Sequence, residues 1–301
     1  MLISVVIPAY NQRDLLPRAL RSVRSQTYQE WECIVVDDAS EDGTSTVVEQ
    51  MADPRFTLVQ NKRNLGPGAS RNRGIAVARG EVIAFLDSDD EWLPEKLARY
   101  SEALLEPASK HSAVVGSVQR HYLNGTVEDT VITSDAIAFP RLFAMPVIGA
   151  GSSMMVRRTA LEAVGSFDEQ LRYFEDWDLV LRLASRGAIA IIDEPLHRKY
   201  ATGTPGNIQA LDRSRRHFLK KHQSEIAQYP PRIRRRTVAQ HHLQLARTAL
   251  VGHAWPRAVF HGTAAVGWYP RFVVSVAKSI PLVWHGRQTG STNPRVQGED
   301  R

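Results

Sequence analysis

Through the first ninety residues, short apolar runs alternate with amphipathic stretches. The runs at 3–8, 31–36, 56–59 and 81–86 have the length and β-branched content of buried strands. Between them, 13–25 places Leu16, Leu20 and Val23 on one helical face, the turn Asp42-Gly43-Thr44 precedes a short helix, and 68–78 reads as a further helix. Strands alternating with helices predict parallel pairing, hence an α/β fold with a doubly wound sheet flanked by helices. In such sheets ligands bind beyond the carboxyl ends of the strands, so the residues that follow each run are the ones to inspect.

After a helix at about 95–105 the pattern changes. Segments 112–122 and 126–133 flank Asn124-Gly125, a strong hairpin-turn dipeptide. A short strand at 152–156, a helix from Asp176 to Arg186 closed by Gly187, and a last core strand at 189–192 follow. From Gln209 the chain is helical and basic, interrupted by Pro230-Pro231, Pro256, Pro270 and Pro281, and 288–301 has the polar composition of a disordered tail. These shifts divide the chain into an α/β body at 1–207 (parts 1–110 and 111–207), a helical extension at 208–287 and a tail at 288–301.

Charge sharpens the division. Residues 1–197 carry 20 Lys and Arg against 28 Asp and Glu, net −8, whereas 198–301 carry 18 against 4, net +14. An acidic body with a basic arm suits an anionic membrane surface or nucleic acid on charge alone. No nucleic-acid motif accompanies the charge, and Phe260, Trp268, Tyr269, Phe272 and Trp284 among the basic residues suit either an interfacial helix on anionic lipid or a helical extension packed against the core. The single cysteine, Cys33, excludes an internal disulfide and falls in an apolar run, so it reads as a buried strand thiol. Met1 leads directly into a strand with no basic leader, and no apolar run reaches the roughly 18 residues of a membrane span. The expected location is the cytoplasm, with peripheral attachment to the inner face of the plasma membrane.

Four polar sets fall at strand or helix ends: Asp37-Asp38, then Asn64, Gly66 and Arg71, then Asp87-Ser88-Asp89-Asp90, and Glu175-Asp176. Carboxylates directly after a buried strand are poor core material unless a cation or ligand hydroxyl meets them. The run 87–90 reads either as a hard-cation site for Mg²⁺ or Mn²⁺ or as a solvated acidic turn. Asp38 reads either as an Asx-turn into 40–44 or as an acceptor for a base N–H or ribose hydroxyl. Arg71 reads as a phosphate fork or a surface helix arginine. Asp176 reads as a helix cap or first-turn acid, or as a general base. The ten histidines show no metal-site spacing.

Ser4-Val5-Val6-Ile7-Pro8-Ala9-Tyr10-Asn11, Val36-Asp37-Asp38-Ala39-Ser40, Asn64-x-Gly66, Ala69-x-Arg71-Asn72-x-Gly74, Phe85-Leu86-Asp87-Ser88-Asp89-Asp90 and Phe174-Glu175-Asp176-Trp177 follow one another in the order of glycosyltransferase family 2, which the chain resembles over about 2–200. The resemblance implies a GT-A fold and an inverting transfer from a nucleoside-diphosphate sugar, UDP first among the nucleotides, to a hydroxyl of a saccharide or glycolipid in surface-polysaccharide synthesis. By the same resemblance Pro8, Ala9, Tyr10 and Asp38 line the base pocket, and Asn64, Gly66 and Arg71 lie by the nucleotide. Asp87, Ser88 and Asp89 form the DxD motif, Asp89 or Asp90 binds the metal, and Asp176 is the catalytic base. The Gln-x-x-Arg-Trp motif of the family's processive synthases is absent. The segment Leu196-His197-Arg198-Lys199-Tyr200 departs from the family's Tyr-Arg-x-His pattern, and 201–207 reads as a lid or a linker. Two rival readings are a catalytically silent binding or membrane-scaffold module and a nucleotidyltransferase. The second lacks its Gly-rich, Lys-containing loop after the first strand.

Overall fold

The computed structural model describes residues 1–105, 111–132, 141–144, 150–201, 206–252 and 254–269. The chain opens with β1 (Ile3–Ala9), α1 (Leu16–Arg24), β2 (Trp31–Asp37), α2 (Thr44–Glu49), β3 (Phe56–Gln60), α3 (Pro67–Val77) and β4 (Val82–Phe85). Next come β5 (Glu91–Trp92), α4 (Lys96–Leu105), β6 (His111–Gly116), β7 (Val118–His121) and β8 (Val127–Thr130). The middle of the chain holds α5 (Arg141–Ala144), α6 (Ala150–Ser153), β9 (Met154–Arg157), α7 (Arg158–Val164), α8 (Glu175–Ala184), β10 (Ala188–Ile192) and β11 (His197–Tyr200). Four helices end the described chain: α9 (Ile208–Lys221), α10 (Gln223–Ala227), α11 (Pro231–Val251) and α12 (Trp255–Trp268).

The main sheet has the order β10-β6-β9-β4-β1-β2-β3. All neighbours are parallel except β9, which runs antiparallel to β4 and β6. From β1 the chain winds outward through β2 and β3, then returns to place β4 on the other side of β1. The crevice at the carboxyl ends of β1 and β4 is therefore the switch point where doubly wound sheets bind ligands. Alternation along β1 serves both faces: Val6 packs into one core cluster, while Ile3, Val5 and Ile7 pack into the other with α1 and α4. Cys33 is fully buried in β2, as expected. Helix α3 lies hard against β1, because a Cβ on Gly74 would sit 2.4 Å from a Val6 methyl.

A smaller sheet, β5-β11-β7-β8, stands beside this edge. The stretch 112–122, expected as one strand, is divided at Ser117. Its N–H donates to the Ile192 carbonyl at 2.9 Å and its Oγ accepts from Ile132 N at 2.9 Å, so the chain leaves the main sheet there. The Asn124-Gly125 hairpin joins antiparallel β7 and β8, with Gly125 at φ +82°. The expected strand at 152–156 begins later, at Met154, because 150–153 forms the turn α6. Strand β11 was not anticipated. It pairs antiparallel with β5, setting His197 opposite Trp92 and Arg198 opposite Glu91.

The basic helices are built into the body. Leu211, Phe218, Ile226 and Leu245 belong to the same buried cluster as Phe85, Trp177 and Leu179. The Trp177 ring lies 4.7 Å from Phe218 and stacks on His241 at 4.8 Å. Buried Asp178 accepts from Lys221 and His222 of the extension and from Arg182. Among the described residues no helix is long and apolar enough to cross a membrane. The tail at 288–301 and residues 202–205 of the candidate lid lie outside the described residues.

Candidate active site

The residues singled out in the sequence converge on one edge. Pro8 and Ala9 end β1 and Tyr10 follows it, Asp38 follows β2, Asn64 and Gly66 connect β3 to α3, and Asp87 to Asp90 follow β4. Asp176 reaches the same edge from the first turn of α8. Tyr10 is 47% exposed, leaving its ring free for a planar ligand.

Asp38 is an internal anchor. Its carboxylate accepts from Asn61 Nδ2 at 2.6 Å, Leu65 N at 2.8 Å and Gly66 N at 2.7 Å, and the residue is buried. These bonds hold the β3–α3 loop at the turn where Gly66 adopts φ +95°. Asp38 makes no Asx-turn; the loop that follows is held by Asp37, whose Oδ1 accepts from Ser40 N at 3.0 Å. Asn64 is engaged too, its Oδ1 accepting from Arg172 Nη1 at 2.6 Å.

Arg71, anticipated as a phosphate fork or an exposed helix residue, is neither free nor exposed. Its side chain is 4% accessible; Nη2 donates to Asp87 Oδ1 at 2.6 Å and Nη1 to Glu175 Oε1 at 2.8 Å. The guanidinium thus ties the end of β4 to the start of α8. Burial opposes ionisation of Asp87, but Arg71 and then Lys199 outweigh it and hold this carboxyl well below the usual range. Glu175 moves the other way: burial, with Asp176 beside it, outweighs Arg71 and raises its carboxyl to about 7.

The acidic run is a cluster, not a solvated turn. Ligand oxygens of Asp87, Asp89 and Asp90 lie within 4.8 Å of one another, and Asp90 is fully buried. Asp90 Oδ2 accepts from Ser152 Oγ at 2.5 Å, while Oδ1 is buried without a partner. Ser152 Oγ also accepts from Asp87 N at 3.0 Å. Burial, reinforced by Asp87 and Asp89 and only partly offset by Lys199, raises the Asp90 carboxyl to about 7. An all-oxygen set of crowded carboxylates with an unpartnered buried oxygen fits a hard divalent cation.

Asp176 is an acid of the first turn of α8 and not its cap. The cap position belongs to Phe174, held at φ +68°, an unusual conformation for a bulky residue. Asp176 is half-buried, and its Oδ1 accepts from Trp177 N at 2.7 Å. Burial, with Asp87 adding to it, raises its carboxyl against the pull of Arg71 and Lys199. A half-buried carboxylate with one oxygen uncommitted suits proton abstraction.

Sequence reasoning passed over Ser152, the bridging role of Glu175, and Lys199. Lys199 Nζ donates to Asp87 Oδ2 at 3.4 Å and Asp90 Oδ2 at 3.3 Å. Alternation along β11 was the available signal: His197 and Lys199 face the acids, while Arg198 and Tyr200 reach Glu91. His197 Nε2 stands 3.8 Å from Asp90 Oδ2.

Comparisons with known proteins bear on the family and the fold. The sequence model described as glycosyl transferase family 2 matches residues 4–165. The succinoglycan biosynthesis protein ExoO of Rhizobium meliloti is 34% identical over 201 residues, covering 63% of this chain and 58% of that protein. Staphylococcus aureus TarS 1–349, solved with UDP-GlcNAc, superposes with a TM-score of 0.57 at 17% identity, covering 100% of both chains. The mannosyltransferase PcManGT of Pyrobaculum calidifontis, solved with GDP-Man and Mn²⁺, gives 0.58 at 20% identity, covering 94% of this chain and 81% of that one. At these identities the two structures speak to the fold alone, which is of the GT-A type.

Proposed function

The chain belongs to glycosyltransferase family 2, and from that premise we propose that it transfers a sugar, with inversion, from a nucleoside-diphosphate donor to a saccharide or glycolipid hydroxyl in surface-polysaccharide synthesis. The observation that carries this reading is the joining of Asp87 to Glu175-Asp176 through Arg71 at the switch point of the sheet. One side chain there locks the donor side of the cleft to the helix bearing the base.

The donor's base lies against Tyr10 beyond β1, in a pocket whose walls are Pro8, Ala9 and the loop that Asp38 anchors. UDP is the nucleotide favoured by the family resemblance and by the UDP-GlcNAc complex of TarS, with the GDP-Man complex of PcManGT marking the alternative. Asp89 and Asp90, with Asp87 beside them, would hold Mn²⁺ or Mg²⁺, which supplies positive charge toward the leaving diphosphate. Asp176 takes the proton of the acceptor hydroxyl as that oxygen attacks the anomeric carbon opposite the leaving group. The displacement inverts the anomeric configuration in one step. Residues 1–207 carry donor and acceptor sites, and the helices after 207 brace α8 from behind.

Helix α12 leaves Trp255, Val259, Phe260 and Trp268 exposed in the strongly basic part of the chain. This supports peripheral contact with anionic lipid near a lipid-linked acceptor. Salt-sensitive flotation with anionic vesicles checks it, and equal recovery with neutral vesicles would refute it.

The central test is a calorimetric titration of nucleotide sugars, with and without Mn²⁺, against the intact protein and Asp89→Ala. Metal-dependent binding of one donor, lost in the variant, is expected. Absence of donor binding under every condition sinks the transferase reading and leaves a silent binding module.

A further inference from the structure

The acidic cluster already holds a cation of the protein's own. Lys199 Nζ sits 3.4 Å from Asp87 Oδ2 and 3.3 Å from Asp90 Oδ2, against three carboxylates whose oxygens lie within 4.8 Å of one another. Arg71, the cation that bridges Asp87 and Glu175, is fixed, with both terminal nitrogens bonded to carboxylates and only 4% of its side chain accessible. Lys199 differs in each respect. Its side chain is 33% accessible, its contacts are longer, and its ammonium ends a flexible four-carbon stem.

A divalent cation bound by these carboxylates needs their oxygens at about 2.0–2.2 Å. An ammonium touching the same oxygens would then stand within roughly 5 Å of it, and their repulsion opposes metal binding by at least about tenfold even at the dielectric of water. The two cations therefore compete for the cluster. Asp90 Oδ1, buried and unpartnered, is the oxygen that the ammonium leaves unsatisfied.

We propose that Lys199 is an exchangeable cation: its ammonium neutralises Asp87 and Asp90 in the metal-free protein, and an entering divalent cation drives it toward solvent, where it meets the donor's diphosphate. It then fills the part that sequence reasoning gave to Arg71, which the structure shows is committed elsewhere. The inference rests on the proposed reading of Asp87, Asp89 and Asp90 as the cation site.

The test titrates Mn²⁺ alone into donor-free wild type, Lys199→Met, Lys199→Gln, Lys199→Arg and Asp89→Ala, following free Mn²⁺ by electron paramagnetic resonance. Lys199→Met and Lys199→Gln should bind Mn²⁺ at least about tenfold more tightly than wild type, and Lys199→Arg should stay close to wild type. Without metal the neutral variants should melt below wild type, and added Mn²⁺ should close that gap. At saturating Mn²⁺ they should bind UDP more weakly, so the two affinities move in opposite directions. Equal or weaker Mn²⁺ binding by both neutral variants, with Asp89→Ala abolishing it, overturns the exchange while leaving the metal site intact. No Mn²⁺ binding by wild type or by either neutral variant overturns the metal reading itself, and the exchange with it.

Discussion

Replacing Arg71 with methionine removes the bridge between Asp87 and Glu175 while nearly conserving volume. Breaking a buried pair on one side costs about 3–5 kcal/mol, because the remaining charge is left without a partner. Two features place this case near the lower end. Glu175 already titrates near 7 and can take up a proton near neutrality, and Asp87 retains Lys199. We expect a loss of about 3 kcal/mol at pH 8. The sign of its pH dependence follows from linkage. In wild type the Asp87 carboxyl is held low, so its contribution is present above the unfolded value and lost in acid. Glu175 is already raised in wild type, and loss of Arg71 should raise both carboxyls further, so the variant's stability should fall more steeply than wild type's as pH rises toward and past neutrality. The gap between the proteins should therefore shrink by at least about 1 kcal/mol between pH 8 and pH 5. Urea unfolding at both values measures it, and Arg71→Met/Glu175→Gln should recover part of the pH 8 loss. A gap below about 1 kcal/mol, or one independent of pH, would refute the reasoning.

Asp176→Asn should lower kcat by about 10²–10⁴-fold while donor affinity changes little, and should abolish the acid limb of the kcat profile, which burial of Asp176 sets above the ordinary aspartate range. Steady-state transfer assays across pH check this, and a loss under tenfold removes Asp176 as the base. Phe218→Ala should cost about 3–5 kcal/mol in urea unfolding, since Phe218 is buried against Trp177 and His241. A cost below about 1 kcal/mol would mean that the extension is not part of this core. Tyr10→Ala should weaken UDP binding by about 1–3 kcal/mol without shifting the melting temperature, because the exposed ring is free to stack on a base. Unchanged UDP affinity would move the base pocket away from β1.

Local pattern carries a long way in this chain. The apolar runs at 3–8, 31–36 and 81–86 announce β1, β2 and β4, because a strand buried on both faces leaves little room for polar residues. Asn124-Gly125 announces its hairpin, because its turn needs a left-handed residue. The acids after β2 and β4 announce the site, since charges at the ends of buried strands want a partner. What those partners are is a different matter. Arg71 meets Glu175 across 104 positions and Lys199 meets Asp87 across 112, and nothing local in either segment records the meeting. The short, polar β11 shows no apolar run and exists because β5 and β7 hydrogen-bond it on both sides. Likewise the charge of the basic helices left open a lipid-facing arm or an extension packed on the body, and Leu211, Phe218 and Leu245 complete the core behind α8. The sequence by itself determined which residues could carry charge to the cleft. Only the tertiary structure decided that Arg71 is a buried strut and that Lys199 faces Asp87 and Asp90, because burial and partners are properties of the assembled edge.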